Sequence, residues 1–349
     1  MSNPLKGKRL KNVRNIVKHS DNLDVLFAKF YEIKKAEGRA EKTLKQYEDN
    51  YGFFVDFLNA RKHRKELSAI NKDVIRDYIN YMREEIVKFE RNPYVTDDRK
   101  TVGLSATTVN TRLKTLRVMF KCLSEEGIIS DNPMVGVKDV SEPEEEIVVL
   151  TEDELRRLLS APNQRNYSHF RDYVLMVYLL DGMARISEAL ALTVNTFDFE
   201  TRTVTIPAKI AKNRKSRIIP IQEQTARLIR ELIAENKVDF DSDYVFLSNY
   251  GEPITASHFR KRLYEYAKMA GIKKQVHPHL FRHTAATMAL ENGMDIRHLQ
   301  KLLGHSDMRM VQRYTHLSNK SLMDQHGKYS ALNNVMNKLN KPRKIYREL

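Results

Sequence analysis

The chain has 349 residues, 41% of them apolar and 30% charged, with 60 Lys and Arg against 45 Asp and Glu for a formal net charge of +15. Such a length argues for two domains, and a single cysteine, Cys122, excludes both an intramolecular disulfide framework and a cysteine-built zinc cage. No segment approaches the ~20 apolar residues of a membrane span, no secretory leader is evident, and the positive surplus suits a polyanion, so the expected setting is cytoplasmic and nucleoid-associated, away from membrane.

Residues 1–20 form a basic arm carrying Lys6, Lys8, Arg9, Lys11, Arg14 and Lys18; it reads either as a solubilising tail or as an arm lying along DNA phosphates. Residues 21–140 read as an all-helical domain. Leu44, Tyr47, Tyr51, Phe54 and Leu58 recur at steps of three and four, as do Val109, Leu113, Leu116, Phe120 and Leu123, with Gly127 as a stop signal. Arg91–Thr107 is polar and predicts a loop. Lys114, Arg117 and Lys121 line the far side of the second of these helices, either a solvated face or a set of DNA-backbone contacts.

Residues 141–150 predict a linker, since Ser141–Glu146 contains Pro143 and four glutamates. Thr151 and Glu154 then form a Thr-x-x-Glu capping box that opens a second domain over 151–330. The charge is uneven: +4 up to Leu150 and +11 beyond it. Thr203–Ile206 alternates and Arg217–Ile221 is apolar with a proline, which predicts short strands of a small sheet. Helices are expected over Glu223–Glu235, again beyond Thr255, and over Asn319–Asn340, the last running into a basic tail assigned to 331–349. The fold class expected is mostly α with a small β-sheet: a helical first domain and a mixed α/β second one.

Several reactive side chains recur in short motifs. His279 and Arg282 stand three apart in His-Leu-Phe-Arg-His, on one helix face. Leu303-Gly304-His305-Ser306 is followed by Tyr314 in Arg-Tyr-Thr-His, and Ala184-Arg185-Ile186-Ser187-Glu188 lies upstream. A lysine-rich turn, Lys212-Asn-Arg-Lys215-Ser-Arg217, joins the two strand-like runs. Strand exchange by a covalent route calls for such a set: a side-chain nucleophile that conserves the bond energy, guanidinium forks on the non-bridging oxygens and an acid for the leaving oxygen. His279 and His283 have a zinc-compatible i, i+4 spacing, but Leu280 stands where a metalloprotease motif would need glutamate, so no metal is expected.

These boxes together resemble the tyrosine recombinase, or phage integrase, family over the whole second domain, with a first domain of the size and kind of the family's SAM-like core-binding domain. The resemblance implies that Arg185 and Arg282 clamp the scissile phosphate, His279 assists proton transfer at the tyrosine, and His305 hydrogen-bonds a phosphate oxygen. It implies that Tyr314 attacks the phosphate and that Lys212 protonates the leaving 5′-oxygen, with Lys209 the alternative register. Lys114, Arg117, Lys121, Lys215 and Arg217 are further candidates for DNA contact.

The implied activity is site-specific integration or excision of a mobile element through a 3′-phosphotyrosyl intermediate and a Holliday junction, independent of metal, ATP or other cofactor. The implied assembly is a homotetramer on double-stranded DNA recombination sites, with accessory DNA-bending or directionality factors as further partners. A catalytically silent DNA-binding regulator and a type IB topoisomerase-like nicking-closing enzyme remain as alternatives. One departure stands out: the family often has Gly two residues before the first arginine, whereas this chain has Met183.

Overall fold

The computed structural model describes residues 20–90, 96–97, 100–141, 148–304, 326–328 and 330. The basic arm up to residue 19, most of the linker, the tail over 331–349, and His305, Tyr314 and His316 lie outside the described residues. The chain divides into two compact units, 1–144 and 145–349.

The first unit is helical. Helices α1 (Leu23–Ala36), α2 (Glu41–Ala60), α3 (Lys72–Asn80) and α4 (Ala106–Glu125) surround a core that includes Leu26, Phe30, Phe54, Phe57, Tyr78, Leu116 and Phe120. Their ends are written in the sequence. Asn22, Asn71 and Ser105 each accept backbone N–H bonds at the start of α1, α3 and α4, which satisfies donors that a helix leaves orphaned. Beyond α4, Gly127 takes a positive φ of 67°, the left-handed conformation that glycine adopts without strain. One buried polar tie joins α2 to α4: the Asn50 side-chain amide donates to Thr115 Oγ1 at 2.9 Å.

The second unit opens with α5 (Glu152–Ser160), whose capping box closes in both directions, Glu154 N–H on Thr151 Oγ1 at 3.2 Å and Thr151 N–H on Glu154 Oε2 at 2.8 Å. Helices α6 (Tyr167–Asp181) and α7 (Ile186–Ala189) precede a three-stranded antiparallel sheet of β1 (Phe197–Asp198), β2 (Thr203–Ile206) and β3 (Arg217–Pro220) in the order β1-β2-β3. Alternation sets the sheet's inner face, where Val204, Ile206 and Ile219 are buried. Helices α8 (Glu223–Asp239), α9 (Ala256–Met269), α10 (Pro278–Glu291) and α11 (Ile296–Leu303) follow.

Helix α6 is the central post, packed against α8 and α10. Its buried Asp172 receives Arg171 of the same helix and both Arg262 and Tyr266 of α9, so the carboxylate enters the interior fully hydrogen-bonded. A separate small core of Met183, Ala285, Ala286, Leu290, Leu299 and Leu303 holds α10 and α11 to the segment after α6.

Candidate active site

Arg185 occupies the entry of α7 rather than the middle of a helix. Helix α6 stops at Asp181, and Met183 then takes a φ of +48°, which turns the chain before α7 begins. This is the position where a glycine would be unstrained. A side chain in that conformation costs ~1–2 kcal/mol. Met183 offsets the cost by burying its thioether chain among Ala285, Ala286 and Leu303, where it is 7% exposed. The departure from glycine thus trades backbone ease for packing.

The turn presents Arg185 to Glu188. The Arg185 guanidinium donates to Glu188 Oε1 at 3.0 Å and its backbone N–H to Oε2 at 3.0 Å. Glu188 is fully buried and also receives the forked guanidinium of Arg217, at 3.2 Å on Oε1 and 2.6 Å on Oε2. Burial pushes this carboxyl up, but the Arg217 hydrogen bond, the Arg185 N–H and the two cationic charges outweigh it and hold its pKa at about 2. Glu188 is therefore a permanent anion that aims two arginines.

Two arginines and an asparagine also grip the end of α11. Arg217 Nε donates to Leu302 O at 3.1 Å, Arg282 Nη2 donates to Leu303 O, and Asn213 Nδ2 donates to Gly304 O at 3.2 Å. Arg282, on α10 and 4% exposed, spends its other arm on Met183 O at 2.6 Å. The Arg185 turn, the β2–β3 sheet, α10 and the approach to His305 are thus fastened at one place by guanidinium bonds to main-chain oxygens. Gly304 fits this junction for two reasons: its φ is +61°, and a Cβ there would lie 3.1 Å from both Cδ and Nε of Arg217.

His279 stands at the exposed start of α10, which is capped by the His277 imidazole accepting Leu280 N–H at 3.2 Å. Packing around the His279 ring, followed by the positive charges of Arg282, His277, Arg185 and Lys212, pushes its pKa below the usual histidine value. The neutral imidazole is therefore the dominant form near neutral pH. Lys212 is exposed on the β2–β3 turn, and its charge is among those felt at His279. Lys209 and Lys215 are exposed on the same turn.

The remaining sequence candidates fall into two groups. The Arg217 guanidinium is turned inward to Glu188 and Leu302, so it serves to position rather than to meet solvent. In the first unit Lys114 is exposed, Arg117 pairs with Asp139 at 2.8 Å and Lys121 with Glu125 at 3.6 Å. Exposed pairs of this kind contribute little and separate easily. The role of Glu188 as a bridge between two arginines was not visible in the sequence beyond its spacing from Arg185, because its second partner is 29 residues away.

Comparison with known proteins decides the family. Residues 148–321 match the model of the phage integrase family, and residues 22–139 match the phage integrase SAM-like domain. The chain belongs to the phage integrase family. This tyrosine recombinase, an enzyme that cleaves and rejoins DNA, is 28% identical to tyrosine recombinase XerD of Listeria monocytogenes over 292 residues, covering 82% of this chain and 92% of that one. It is 28% identical to tyrosine recombinase XerC of Thermodesulfovibrio yellowstonii over 307 residues, covering 86% and 94%.

The recombinase also shares its fold with the Tn1549 transposon integrase solved in complex with transposon right end DNA. That match has a TM-score of 0.68 at 22% identity and covers 89% of this chain and 100% of the other. The helical first unit is therefore a SAM-like domain and the second an integrase catalytic domain. Among the described residues, no helix is long and apolar enough to cross a membrane.

Proposed function

We propose that this recombinase integrates and excises a mobile element, with Tyr314 as its nucleophile and Arg185, Lys212, His279, Arg282 and His305 completing the reaction centre. The observation that carries the reading is the junction at which Arg185, through Glu188 and Arg217, and Arg282, through its own guanidinium, are tied to the main-chain oxygens of Leu302 and Leu303. His305 follows directly on that junction, and Tyr314 lies nine residues further along. The basic N-terminal arm, suited to binding DNA beside the exchange site, supports the mobile-element role.

In the cleavage step the phenolic oxygen of Tyr314 attacks the scissile phosphorus and the bond from phosphorus to the 5′-oxygen breaks. The tyrosine's proton passes with the help of His279, whose depressed pKa keeps an acceptor nitrogen available at neutral pH. Arg185, Arg282 and His305 hold the non-bridging oxygens as charge builds on them. Lys212 gives its proton to the departing 5′-oxygen. The product is a 3′-phosphotyrosyl link and a free 5′-hydroxyl, and attack by the partner strand's 5′-hydroxyl reverses the step. The bond energy is kept in the phosphotyrosyl link, so no ATP is called for, and the arginines, histidines and lysine supply the charge and protons that a metal would otherwise provide. Two rounds in a tetramer on paired double-stranded sites pass through a Holliday junction, with accessory DNA-bending or directionality factors setting the outcome.

The test is a trap for the covalent intermediate on duplex DNA carrying the element's junction and nicked beside the scissile phosphate. A DNA-linked peptide containing Tyr314 is expected, and Tyr314→Phe should abolish the adduct while leaving DNA affinity within about twofold, since only one oxygen is removed. Strand exchange retained by Tyr314→Phe would remove Tyr314 from the mechanism.

A further inference from the structure

Helix α4 carries a cation on the wrong side. Arg112 falls on the apolar stripe with Val109, Leu116 and Leu123, opposite Lys114, Arg117 and Lys121. Its guanidinium lies over the Phe53 ring of α2, with the central carbon 3.6 Å from the ring centroid. Nε is buried, and Arg112 makes no hydrogen bond or ion pair among the described residues. Burial pushes its pKa below that of an ordinary arginine, and neither Tyr78 nor the charge of Asp49 is strong enough to restore it. The neighbouring Tyr78 hydroxyl is likewise buried without a partner.

A guanidinium partly withdrawn from water with no hydrogen-bonded counter-ion destabilises the free protein, and groups perturbed in this way cluster at binding and catalytic sites. The contact with Phe53 holds the guanidinium in place in advance, which reduces the freedom lost on binding. The surroundings favour an anion too. Nearby, the first turns of α4 hold Ser105, Thr107, Thr108 and Thr111 and no acidic residue, at the positive end of a 20-residue helix.

We infer that Arg112 is a preorganised receptor for a backbone phosphate of duplex DNA, a contact made by the first unit on the side of α4 away from the Lys114 stripe. The inference rests on the recombinase reading for its ligand class but not on Tyr314. Completing one guanidinium with one phosphate releases ~0.9 of a counterion, so the contact contributes about tenfold to affinity near 0.1 M salt relative to 1 M.

The test compares the full-length wild-type chain, Arg112→Met and Arg112→Lys on a fluorescein-labelled mixed-sequence duplex by anisotropy over a salt series. Arg112→Met should bind about tenfold more weakly near 0.1 M salt, with the slope of log K against log salt shallower by ~0.9, while Arg112→Lys keeps most of the slope. Because Arg112→Met removes an unpaired buried charge, it should also melt at the same or a higher temperature. A folded Arg112→Met protein with unchanged affinity and slope would overturn the assignment. So would a lowered melting temperature with unchanged binding, the signature of a purely structural staple. If the methionine variant does not fold, Arg112→Gln carries the same comparison. Failure of the wild-type chain to bind any duplex overturns this inference together with the recombinase reading. Binding without a Tyr314 adduct on the element's nicked junction overturns the Tyr314 assignment and leaves this inference standing.

Discussion

Glutamine at position 188 tests whether the anion that aims Arg185 and Arg217 also holds the second unit together. The carboxyl titrates at about 2 in the folded chain against an ordinary 4.5. At ~1.4 kcal/mol for each tenfold change in proton affinity, this corresponds to about 3 kcal/mol of stability. A second route gives a similar figure: neutralising one partner of a buried ion pair costs ~3–5 kcal/mol, because the charge left behind is uncompensated. Glu188 is 0% exposed, so solvent screening reduces neither value much. The sign follows from a lowered pKa: the contribution is complete above about pH 5 and disappears as pH falls through about 2.

Glu188→Gln should therefore destabilise the unit 145–349 by about 3 kcal/mol at pH 7, and the gap from wild type should narrow as pH is lowered from 5 towards 3. The chain has no tryptophan, so urea unfolding is followed by far-UV circular dichroism and tyrosine emission. Adding Arg217→Met should cost less than the sum of the single changes, since the double variant buries one fewer lone charge. A neutral-pH loss below ~1 kcal/mol, or a gap that stays constant with pH, would refute the reasoning.

Two further perturbations probe the site. Gly304→Ala should lose ~1–2 kcal/mol from its left-handed backbone and press its Cβ on Arg217, slowing adduct formation more than it weakens DNA binding; unchanged cleavage would mean that the grip on α11 is not needed. Lys212→Ala should slow cleavage of ordinary DNA but be rescued by a 5′-bridging phosphorothiolate, whose sulfur leaves without a proton. Rescue of Lys209→Ala instead would move the acid three residues along the turn.

Where local chemistry decides structure, the sequence was readable. The Thr151–Glu154 box forms both of its bonds, Thr203–Ile206 is a strand over the expected residues, and α4 runs along its apolar stripe. The loop before α4 ends at Ser105 rather than Thr107, because the Ser105 hydroxyl caps the helix two residues earlier. What periodicity cannot report is direction in three dimensions. Arg217 shares a lysine-rich turn with Lys212 and Lys215, yet only Arg217 points inward, because Glu188 and Leu302 O wait there. Arg112 carries no signal of its own in the sequence, because helical periodicity marks the apolar positions and is silent about a charge among them. Likewise, the bonds from Arg282 to Met183 and Leu303 join segments 99 and 21 residues apart, and no local pattern encodes them.

The grip on α11 has an electrostatic consequence. The last carbonyls of a helix carry roughly half a negative charge between them, and α11 ends beside the very arginines proposed to hold a phosphate. Left bare, that end would repel a polyanion at the point of closest approach. Arg217 and Arg282 each cover one of these oxygens, and with Arg185 they set three positive charges against the single anion Glu188, so the polarity of the helix end is reversed by its own fastening. The same bonds that fix the shape of this corner also make it a place where a nucleic-acid strand can settle.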